Sequence, residues 1–377
     1  MANNILYIGS FEFPDKNASA IRVKGIAKIL TRLDFKVHIG GNYTKTKSAD
    51  DNIFFWSVTT RNDRAISSGI DISPIVSKVE QLGQDSIKAI IAYNYTPIAF
   101  YKLQKYCKRE GIVLIPDITE WSKVGNWLNI NSIVRTLLAN WRIMWLTPRC
   151  KNAIFATNYM ASKFTDSNTL VLPFVSSKKA GIKKMDSEII KFIYAGNPGY
   201  KFSKDKLDLI IEAFSIVSRK HNNFSLQIVG ITKDEILKYK GSLGLLLDML
   251  ADKVRIEGHL TNKETISLIR EAHYSIFLRP IDRVSKTGFP TKVLEAFEQG
   301  TPCITNVTSD LSDYISDSEN GFLFENLNSK DISRNLCNVL SLSKNIHHKI
   351  QVKCASKNPF SEVKFINRID TFFQELK

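Results

Sequence analysis

Residues 287–302 read TGFPTKVLEAFEQGTP. The stretch predicts a glycine-containing loop, a helix that begins at Pro290, a stop at Gly300 and then a new strand. Proline suits the first helical turn because its missing N–H is not needed there. The free N–H groups of Thr291 and Lys292, together with the helix dipole, favour an anion at the start of this helix.

Glu295 follows Lys292 by about one helical turn and lies off the apolar face of the same helix. A carboxylate at this position could accept hydrogen bonds from hydroxyl groups. A phosphate at the helix start and a sugar hydroxyl at Glu295 would suit a nucleotide-sugar. A surface helix with an ion pair between Lys292 and Glu295 explains the same residues, so both interpretations stay open locally.

Strand-like and helix-like segments alternate outward from this stretch in both directions, which is typical of parallel sheets with crossover helices. The predicted strands are Ile5–Gly9, Lys36–Ile39, Ile53–Ser57, Ala89–Tyr93, Val113–Pro116, Asn152–Ala156, Ile189–Ala195, Ser225–Val229, Val254–Ile256, Tyr274–Leu278, Pro302–Thr305 and Gly321–Phe324. One long helix is predicted over 233–252, and a final one near Phe360–Leu376.

The chain has 377 residues, more than one core comfortably holds. A polar, basic segment over 175–185 is the best linker. We therefore predict an α/β fold of two Rossmann-like domains that face each other across a cleft. Their expected bounds are 1–175 and 186–355, with 356–377 as a C-terminal element.

The composition is that of an ordinary globular protein, with 44% hydrophobic and 24% charged residues. No apolar run is long enough for a membrane span, and the N-terminus does not resemble a signal peptide. The five cysteines are scattered, which favours reduced thiols in the cytoplasm. The net charge of +15 suggests polyphosphate ligands or an anionic membrane, although a basic surface with no partner is also consistent. Nucleic acid is disfavoured because no recognition pattern is present.

A second glycine turn, Gly196-Asn197-Pro198-Gly199, follows the first predicted strand of the second half. Doubly wound folds bind phosphates at this place, and the nearby Lys204 could neutralise a diphosphate leaving group. The turn matches neither the G-x-G-x-x-G nor the P-loop pattern. A solvated lysine turn is the alternative.

In the first half, the loop after the first strand carries Asn17 and Ser19 as candidate helix caps, with Arg22 directed towards the cleft. An ordinary surface loop would look the same. After a later strand, Glu120 could orient a hydroxyl group and Trp121 could stack on a sugar face. Capping of a helix by Asp117 is the competing interpretation.

Residues 121–151 hold four of the five tryptophans, and 123–151 carry several Lys and Arg residues. Val134, Leu137, Leu138, Trp141 and Trp145 recur at helical spacing. An apolar stripe with basic flanks is typical of an interfacial helix on an anionic bilayer. A helix of the protein core gives the same stripe.

The sequence offers no metal site and no nucleophile. No D-x-D pair and no G-x-S-x-G elbow occur, and the only neighbouring histidines are His347 and His348. Adjacent residues do not share a helix face, so this pair does not suggest a metal site.

Together these residues resemble the retaining glycosyltransferases of the GT-B fold, family 4 type. Residues 288–292 with Glu295 and 300–302 look like the family's donor-site helix, in which the second of two glutamates binds the ribose. Glu295 matches that glutamate, whereas Thr287 stands where the family has the first. The resemblance implies that N–H groups around Gly288 and Phe289 hold the sugar and the diphosphate.

The resemblance extends to other segments. The turn at Gly196 and Asn197 with Lys204 looks like the family's phosphate-binding region, although Asn197 replaces a family arginine. His259 lies in a segment similar to the one against the nucleotide base. Asn17, Ser19 and Arg22 are similar to the loop that lines the acceptor side. The C-terminal helix is expected to cross back onto the first domain.

The resemblance implies a hexosyltransferase-type enzyme that is retaining, needs neither metal nor cofactor, and uses a nucleotide-diphosphate sugar. The acceptor would be a glycan or lipid-linked molecule of bacterial surface polysaccharide synthesis (capsule, O-antigen or exopolysaccharide). The enzyme would be cytoplasmic and peripheral on the inner face of the cell membrane. A nucleotide-sugar 2-epimerase is one alternative, and a non-catalytic GT-B subunit, suggested by Thr287, is another.

Overall fold

A computed structural model describes residues 2–12, 18–42, 52–58, 70–121, 130–176, 180–181 and 187–377. The chain divides into two compact units. Unit 1 comprises Met1–Ser177, Lys286–Phe289 and Phe360–Lys377, and unit 2 comprises Lys178–Ser285 and Pro290–Pro359.

The strands of unit 1 are β1 (Asn4–Glu12), β2 (Lys36–Asn42), β3 (Ile53–Ser57), β4 (Ile87–Tyr93), β5 (Leu114–Ile118), β6 (Asn152–Phe155) and β7 (Asn168–Val171). Those of unit 2 are β8 (Ile190–Ala195), β9 (Phe224–Val229), β10 (Val254–Gly258), β11 (Tyr274–Ile276), β12 (Cys303–Asn306) and β13 (Gly321–Phe324).

The first five helices are α1 (Ala18–Arg32), α2 (Ser73–Leu82), α3 (Pro97–Glu110), α4 (Ile130–Trp141) and α5 (Asn158–Ala161). They are followed by α6 (Leu207–Val217), α7 (Lys233–Tyr239), α8 (Leu243–Met249), α9 (Asn262–Glu271), α10 (Arg283–Thr287), α11 (Thr291–Glu298), α12 (Ser329–Leu340), α13 (Lys344–Ser356) and α14 (Ile366–Gln374). A π-helical turn, Arg142–Leu146, continues α4.

Each unit contains one parallel sheet. The strand order is β3-β2-β1-β4-β5-β6-β7 in unit 1 and β10-β9-β8-β11-β12-β13 in unit 2. Both orders reverse direction beside the first strand of the unit, as in a doubly wound fold, and ligands of such folds bind at the carboxyl ends of the strands next to that reversal. The predicted α/β class with two Rossmann-like domains is confirmed.

The central strands β4 and β8 are mostly apolar and buried, as expected for parallel strands that helices cover on both faces. All five residues of β5 are buried. Pro116 lies inside this strand, but the pairing of β5 with β6 begins only at Asp117. The missing N–H of Pro116 therefore interrupts no hydrogen bond between β5 and β6. In unit 2, Phe192 packs against Phe214 and Tyr274 from neighbouring elements.

Local signals set several helix ends. Thr232 and Glu235 form a capping box at α7, and Thr261 and Glu264 form another at α9. The single helix predicted over 233–252 is wrong. Two helices, α7 and α8, occupy the region and are separated by 240–242, which includes Gly241.

The C-terminal helix packs within unit 1, which confirms the prediction that it returns to the first domain. Arg368 Nη2 donates a hydrogen bond to the Val171 carbonyl at 2.8 Å. The Phe373 ring lies 5.3 Å, centroid to centroid, from Phe35 beyond α1. The unit 1 segment begins at Phe360 rather than at the predicted residue 356, because α13 belongs to unit 2.

Candidate functional site

Three glycines end neighbouring strands of unit 2. Gly196, Gly230 and Gly258 follow or close β8, β9 and β10 with φ of +124°, +95° and +67°. The Gly230 N–H donates to the Gly258 carbonyl at 2.7 Å, and the Gly196 N–H donates to the Val229 carbonyl at 2.9 Å. A Cβ on Gly230 would lie 2.7 Å from the Gly196 carbonyl carbon. The backbones therefore approach more closely than any other residue type allows.

Lys292 reaches this edge from α11. Its side chain is 13% exposed, and its ammonium forms an ion pair with Asp205, whose side chain is 2% exposed. Lys292 Nζ also donates a hydrogen bond to the Tyr194 hydroxyl at 3.0 Å and lies 4.1 Å from the centre of the Tyr194 ring. The Tyr194 hydroxyl in turn donates to Asp205 Oδ2 at 2.8 Å.

Gly196 makes room for this lysine. A Cβ at Gly196 would lie 2.7 Å from Lys292 Cε and 3.0 Å from its Nζ. The glycine turn that the sequence indicated as a phosphate site therefore lies directly against the buried ammonium group.

Burial dominates the electrostatics here. It lowers the pKa of Lys292, and the charge and hydrogen bond of Asp205 act in the opposite direction. Burial likewise raises the pKa of Tyr194, and the charge of Asp205 adds to that rise. Burial lowers the pKa of Arg279, against which the charge of Asp205 again acts. Asp205 thus compensates cations from two directions.

A cavity of about 280 Å³ opens at the same strand ends. Gly196 and Gly230 form part of its wall, and Glu295, His259 and Thr265 form other parts. The structure therefore brings Glu295, Gly196 and His259 together around one cavity, next to Lys292.

His259 is held at the cavity rim. Its Nε2 lies 3.2 Å from Glu235 Oε2, and Glu235 also caps α7 through Thr232. One carboxylate thus sets a helix start and the orientation of the histidine. The His259 side chain is 61% exposed, so its face is accessible to a ligand.

The turn after β8 is shaped by its own hydrogen bonds. Asn197 Oδ1 accepts from the Gly199 N–H at 2.8 Å, in the manner of an Asx turn. The Pro198 carbonyl accepts from the N–H groups of Lys204 and Asp205. The Lys204 side chain is exposed, whereas that of Asp205 turns inward.

The start of α11 has no side-chain cap. Pro290 is the N-cap residue, with φ −77°, and the helix begins at Thr291 rather than at the predicted Pro290. Just upstream, Gly288 is half-buried, and Phe289 is buried and packs edge-on against Phe360 at 5.7 Å between ring centres.

Thr287, which stands where the family has its first glutamate, is fully buried within unit 1. Its Oγ1 accepts a hydrogen bond from the Trp121 N–H at 3.1 Å, and its carbonyl accepts one from Thr157 Oγ1 at 3.4 Å. Thr287 therefore ties together backbone segments of unit 1.

Arg22 differs from the expectation that it reaches towards an acceptor. It is fully buried, and its Nη2 lies 2.7 Å from Asp117 Oδ1 in an ion pair. Its Nη1 donates to the Leu172 carbonyl at 2.7 Å, and the Tyr7 hydroxyl donates to Asp117. Asp117 is this ion-pair partner inside β5 and not a helix cap.

The other residues predicted in unit 1 lie nearer the surface. Ser19 is half-buried and hydrogen-bonds with Tyr93. Glu120 is exposed, and Trp121 is half-buried, with its Nε1 donating to Asn140 Oδ1 at 2.7 Å. Asn17 lies outside the described residues.

The tryptophan segment has an exposed apolar stripe, but two of the residues predicted for it are not exposed. Leu138 and Trp141 are half-buried, and Trp141 packs on the core of unit 1. The exposed apolar side chains along α4 and the π-helical turn are Ile130 (76%), Val134 (46%), Leu137 (62%), Met144 (57%) and Trp145 (60%). Arg135 and Arg149 are exposed beside them. Lys123 and Trp127 lie outside the described residues.

Sequence reasoning missed Asp205 and Tyr194. The only signal for Asp205 was a single carboxylate between Lys204 and Lys206 in a polar turn. Tyr194 looked like an ordinary residue of a buried strand. Their pairing with Lys292 depends on which strands are neighbours, and no local pattern records that.

Residues 190–341 match the family model described as "Glycosyl transferases group 1". This match covers β8 to α12 and includes the whole cavity and the buried lysine. The chain is a GT-B fold glycosyltransferase. Solved structures similar to this glycosyltransferase share its fold.

Sucrose-phosphate synthase from Thermosynechococcus elongatus has a TM-score of 0.69 at 10% identity, over 99% of each chain. TarM of S. aureus has a TM-score of 0.68 at 12% identity, over 99% of this glycosyltransferase and 100% of that chain. HepE of Anabaena has a TM-score of 0.61 at 14% identity, over 99% of this chain and 100% of that one. No curated protein matches the sequence. Among the described residues of the glycosyltransferase, no helix is both long and apolar enough to cross a bilayer.

Proposed function

We propose that unit 2 binds a nucleoside-diphosphate sugar at the carboxyl end of its sheet. The observation that carries this proposal is the buried ammonium group of Lys292, which lies against the Gly196 turn at the uncapped start of α11, with Glu295 on the wall of the adjoining cavity. A diphosphate needs a cation and free N–H groups, and a ribose needs a hydroxyl acceptor.

Each predicted donor residue has a role in this proposal. Lys292, the N–H groups at Thr291 and the Gly196–Asn197 turn bind the diphosphate, with exposed Lys204 as the second cation. Glu295 accepts hydrogen bonds from the ribose, and His259 lies against the base. The loop N–H groups at Gly288 and Phe289 contact the donor sugar.

Similar structures support the type of ligand. HepE was solved with UDP-glucose. TarM was solved with UDP and α-GlcNAc-glycerol. WaaG, with a TM-score of 0.60 at 11% identity over 97% of this chain and 98% of that one, is described as acting in lipopolysaccharide biosynthesis. We accordingly propose a glycan or lipid-linked acceptor of bacterial surface polysaccharide synthesis.

The proposed reaction retains the anomeric configuration and uses no metal and no cofactor. Charge develops on the departing diphosphate as the glycosidic bond breaks, and fixed cations and N–H dipoles at that position stabilise it without reorganisation. Charge-assisted hydrogen bonds are worth about 1.5–3 kcal/mol each, so Lys292 and Lys204 together supply a useful part of the barrier reduction. Ser19, Glu120 and Trp121 of unit 1 are proposed to bind the acceptor.

We also propose that α4 and the π-helical turn lie on an anionic membrane surface. The exposed stripe that contains Ile130, Leu137 and Trp145 is apolar, and Arg135 and Arg149 flank it. Buried apolar area and attraction to anionic headgroups act together at such an interface. The location would then be cytoplasmic and peripheral on the inner face of the cell membrane.

The donor proposal is tested with a panel of nucleotide-sugars, first by thermal stabilisation and then by sugar transfer in the presence of EDTA. We expect one donor to raise Tm and to support transfer that EDTA leaves intact. Lys292→Met should weaken binding of that donor at least 10-fold, whereas the control Lys330→Met, at an exposed lysine of α12, should not. Full donor binding by Lys292→Met would refute the site.

The same assay separates the alternatives. Conversion of the donor sugar without any acceptor would indicate a 2-epimerase. Donor binding with no turnover under any acceptor condition would indicate a non-catalytic subunit.

The membrane proposal is tested with sedimentation of vesicles that contain phosphatidylglycerol. Leu137→Ser with Trp145→Ser should reduce binding about 10-fold at low salt, while Leu245→Ser, an exposed leucine on α8, should have no effect. Equal binding by all three proteins would refute the proposal.

A further inference from the structure

Lys292 occupies a site where a lone ammonium group would not stay charged. Its side chain is 13% exposed, and its Nζ lies 4.1 Å from the centre of the Tyr194 ring and 6.0 Å from the centre of the Phe277 ring. Taking an ammonium group out of water disfavours its protonated form, and the usual outcome for an unpaired buried lysine is loss of the proton. Something must therefore hold the charge in place.

Asp205 is the group placed to do this. It comes from the turn before α6, not from the helix that carries Lys292, and its side chain is 2% exposed. Its carboxylate accepts from both Lys292 and the Tyr194 hydroxyl. The chain of contacts from Tyr194 to Asp205 to Lys292 fixes the position of the ammonium group against Gly196, where no Cβ intervenes.

Among the residues that the structure describes, few other charged groups act on the ammonium group. Lys204, beside Asp205 in the turn, repels it, and Glu295, one turn along α11, attracts it. From the loop after β11, Arg279 interacts with Asp205 rather than with Lys292. Asp205 is thus the main compensating charge that the neighbouring elements direct at Lys292.

We propose that Asp205 is a positioning residue whose negative charge keeps Lys292 protonated and directed at the donor diphosphate. The inference rests on the proposed donor site and adds the residue on which that site depends. A donor phosphate shares the ammonium group with Asp205, so binding requires no proton transfer and no new cation. The charge and the hydrogen bond of Asp205 oppose the effect of burial, which disfavours the protonated form of Lys292.

The variant Asp205→Asn removes the negative charge of Asp205 with little change in the shape of the side chain. The pKa of Lys292 then falls further, and each pH unit above the new value lowers the protonated fraction about 10-fold. Affinity for a diphosphate should be closest to that of the wild type at pH 6 and should fall relative to it as the pH rises, by 10-fold or more at pH 9. Asp205→Glu keeps the charge and should restore most of the affinity at pH 9.

The measurement is the Kd of UDP and of inorganic pyrophosphate by calorimetry, for the full-length wild-type protein and each variant, from pH 6 to pH 9. Variant-to-wild-type ratios at each pH cancel the titration of the ligands themselves. A merely structural role for Asp205 would lower affinity equally at every pH, and that result overturns the proposal. A ratio of one at every pH overturns it as well.

Two further variants keep the test decisive. Adding Asp205→Asn to Lys292→Met should have no additional effect on Kd, since Asp205 acts through Lys292; a further loss of 10-fold or more contradicts the proposal. This double variant removes both members of the buried ion pair and leaves Asp282 to compensate Arg279, so it remains usable if Asp205→Asn alone is unstable. If Lys292→Met binds both ligands normally, the proposed donor site is wrong. If Lys292→Met loses binding but Asp205→Asn binds like the wild type at every pH, only the role proposed for Asp205 is wrong.

Discussion

Gly230→Ala tests how tightly the strand ends of unit 2 are packed. The added Cβ would lie 2.7 Å from the Gly196 carbonyl carbon and 2.8 Å from its oxygen. Bringing the first distance to an ordinary 3.4 Å requires a shift of about 0.7 Å, the difference between the two values. Since both atoms belong to backbone, the shift must move the Gly196 turn.

The expected magnitude has two parts. A φ of +95° costs alanine about 1–2 kcal/mol, and forcing atoms into a packed site adds about 1–3 kcal/mol. We therefore expect Gly230→Ala to lose about 2–5 kcal/mol of unfolding free energy. Because a misplacement of about 1 Å can cost 100-fold in rate, kcat/KM for the donor should fall between 10- and 100-fold.

The matched control is Gly258→Ala, at the end of the neighbouring strand β10. Its φ is +67°, but the nearest atom to an added Cβ, Thr232 Cγ2, is 3.7 Å away, an ordinary contact. Gly258→Ala should lose only the conformational part of the unfolding free energy, about 1–2 kcal/mol, and should keep most of the activity. Urea unfolding and donor kinetics measure both variants, and equal losses in stability for the two would refute the packing argument.

Three other expectations concern unit 1 and the buried histidines. Asp117→Asn should destabilise the protein by about 3–5 kcal/mol in urea unfolding, because it leaves the fully buried Arg22 without its counter-charge, and adding Arg22→Met should recover part of that loss. Burial lowers the pKa of His38 and of His273 to about 4, below the unfolded value of about 6.5. The unfolded chain therefore binds more protons between those values, so the unfolding free energy should fall as pH drops from 6.5 to 4, by at most about 3 kcal/mol per histidine, and the His38→Gln, His273→Gln double variant should show a flatter pH dependence. Thr287→Glu should lower Tm by several degrees, since it buries a carboxylate where a hydroxyl accepts the Trp121 N–H, and a Tm equal to that of the wild type would contradict the position found for Thr287.

Most strands of the fold could be predicted because parallel strands covered on both faces appear as short apolar runs. Ile53–Ser57 and Gly321–Phe324 agree with the structure residue for residue. The edge strand β7, Asn168–Val171, was not predicted because its four residues include two polar ones. Helices α12 and α13 were not predicted either, although Ile332, Leu336, Val339 and Leu340 of α12 recur at helical spacing.

The candidate site was predictable to the extent that it follows from local sequence. The start of α11, Glu295 one turn later and the glycine turn at Gly196 all rest on residues close together in the chain. Arg22 shows where this approach fails. Its position early in α1 suggested that it reaches towards the cleft, but the structure places it in a buried ion pair with Asp117, 95 residues away.

By itself, then, the sequence determined the alternation of strands and helices, the start of the helix within 287–302 and the presence of lysines near a glycine turn, because each depends on neighbours within a few residues. The tertiary structure decided which of those lysines is buried and what compensates it. Lys292 pairs with Asp205, 87 residues away, because β8 and β11 lie side by side in the sheet and bring both residues to one edge. Charge pairs of this kind depend on strand order, which results from packing the whole unit and is not encoded in any single stretch of the chain.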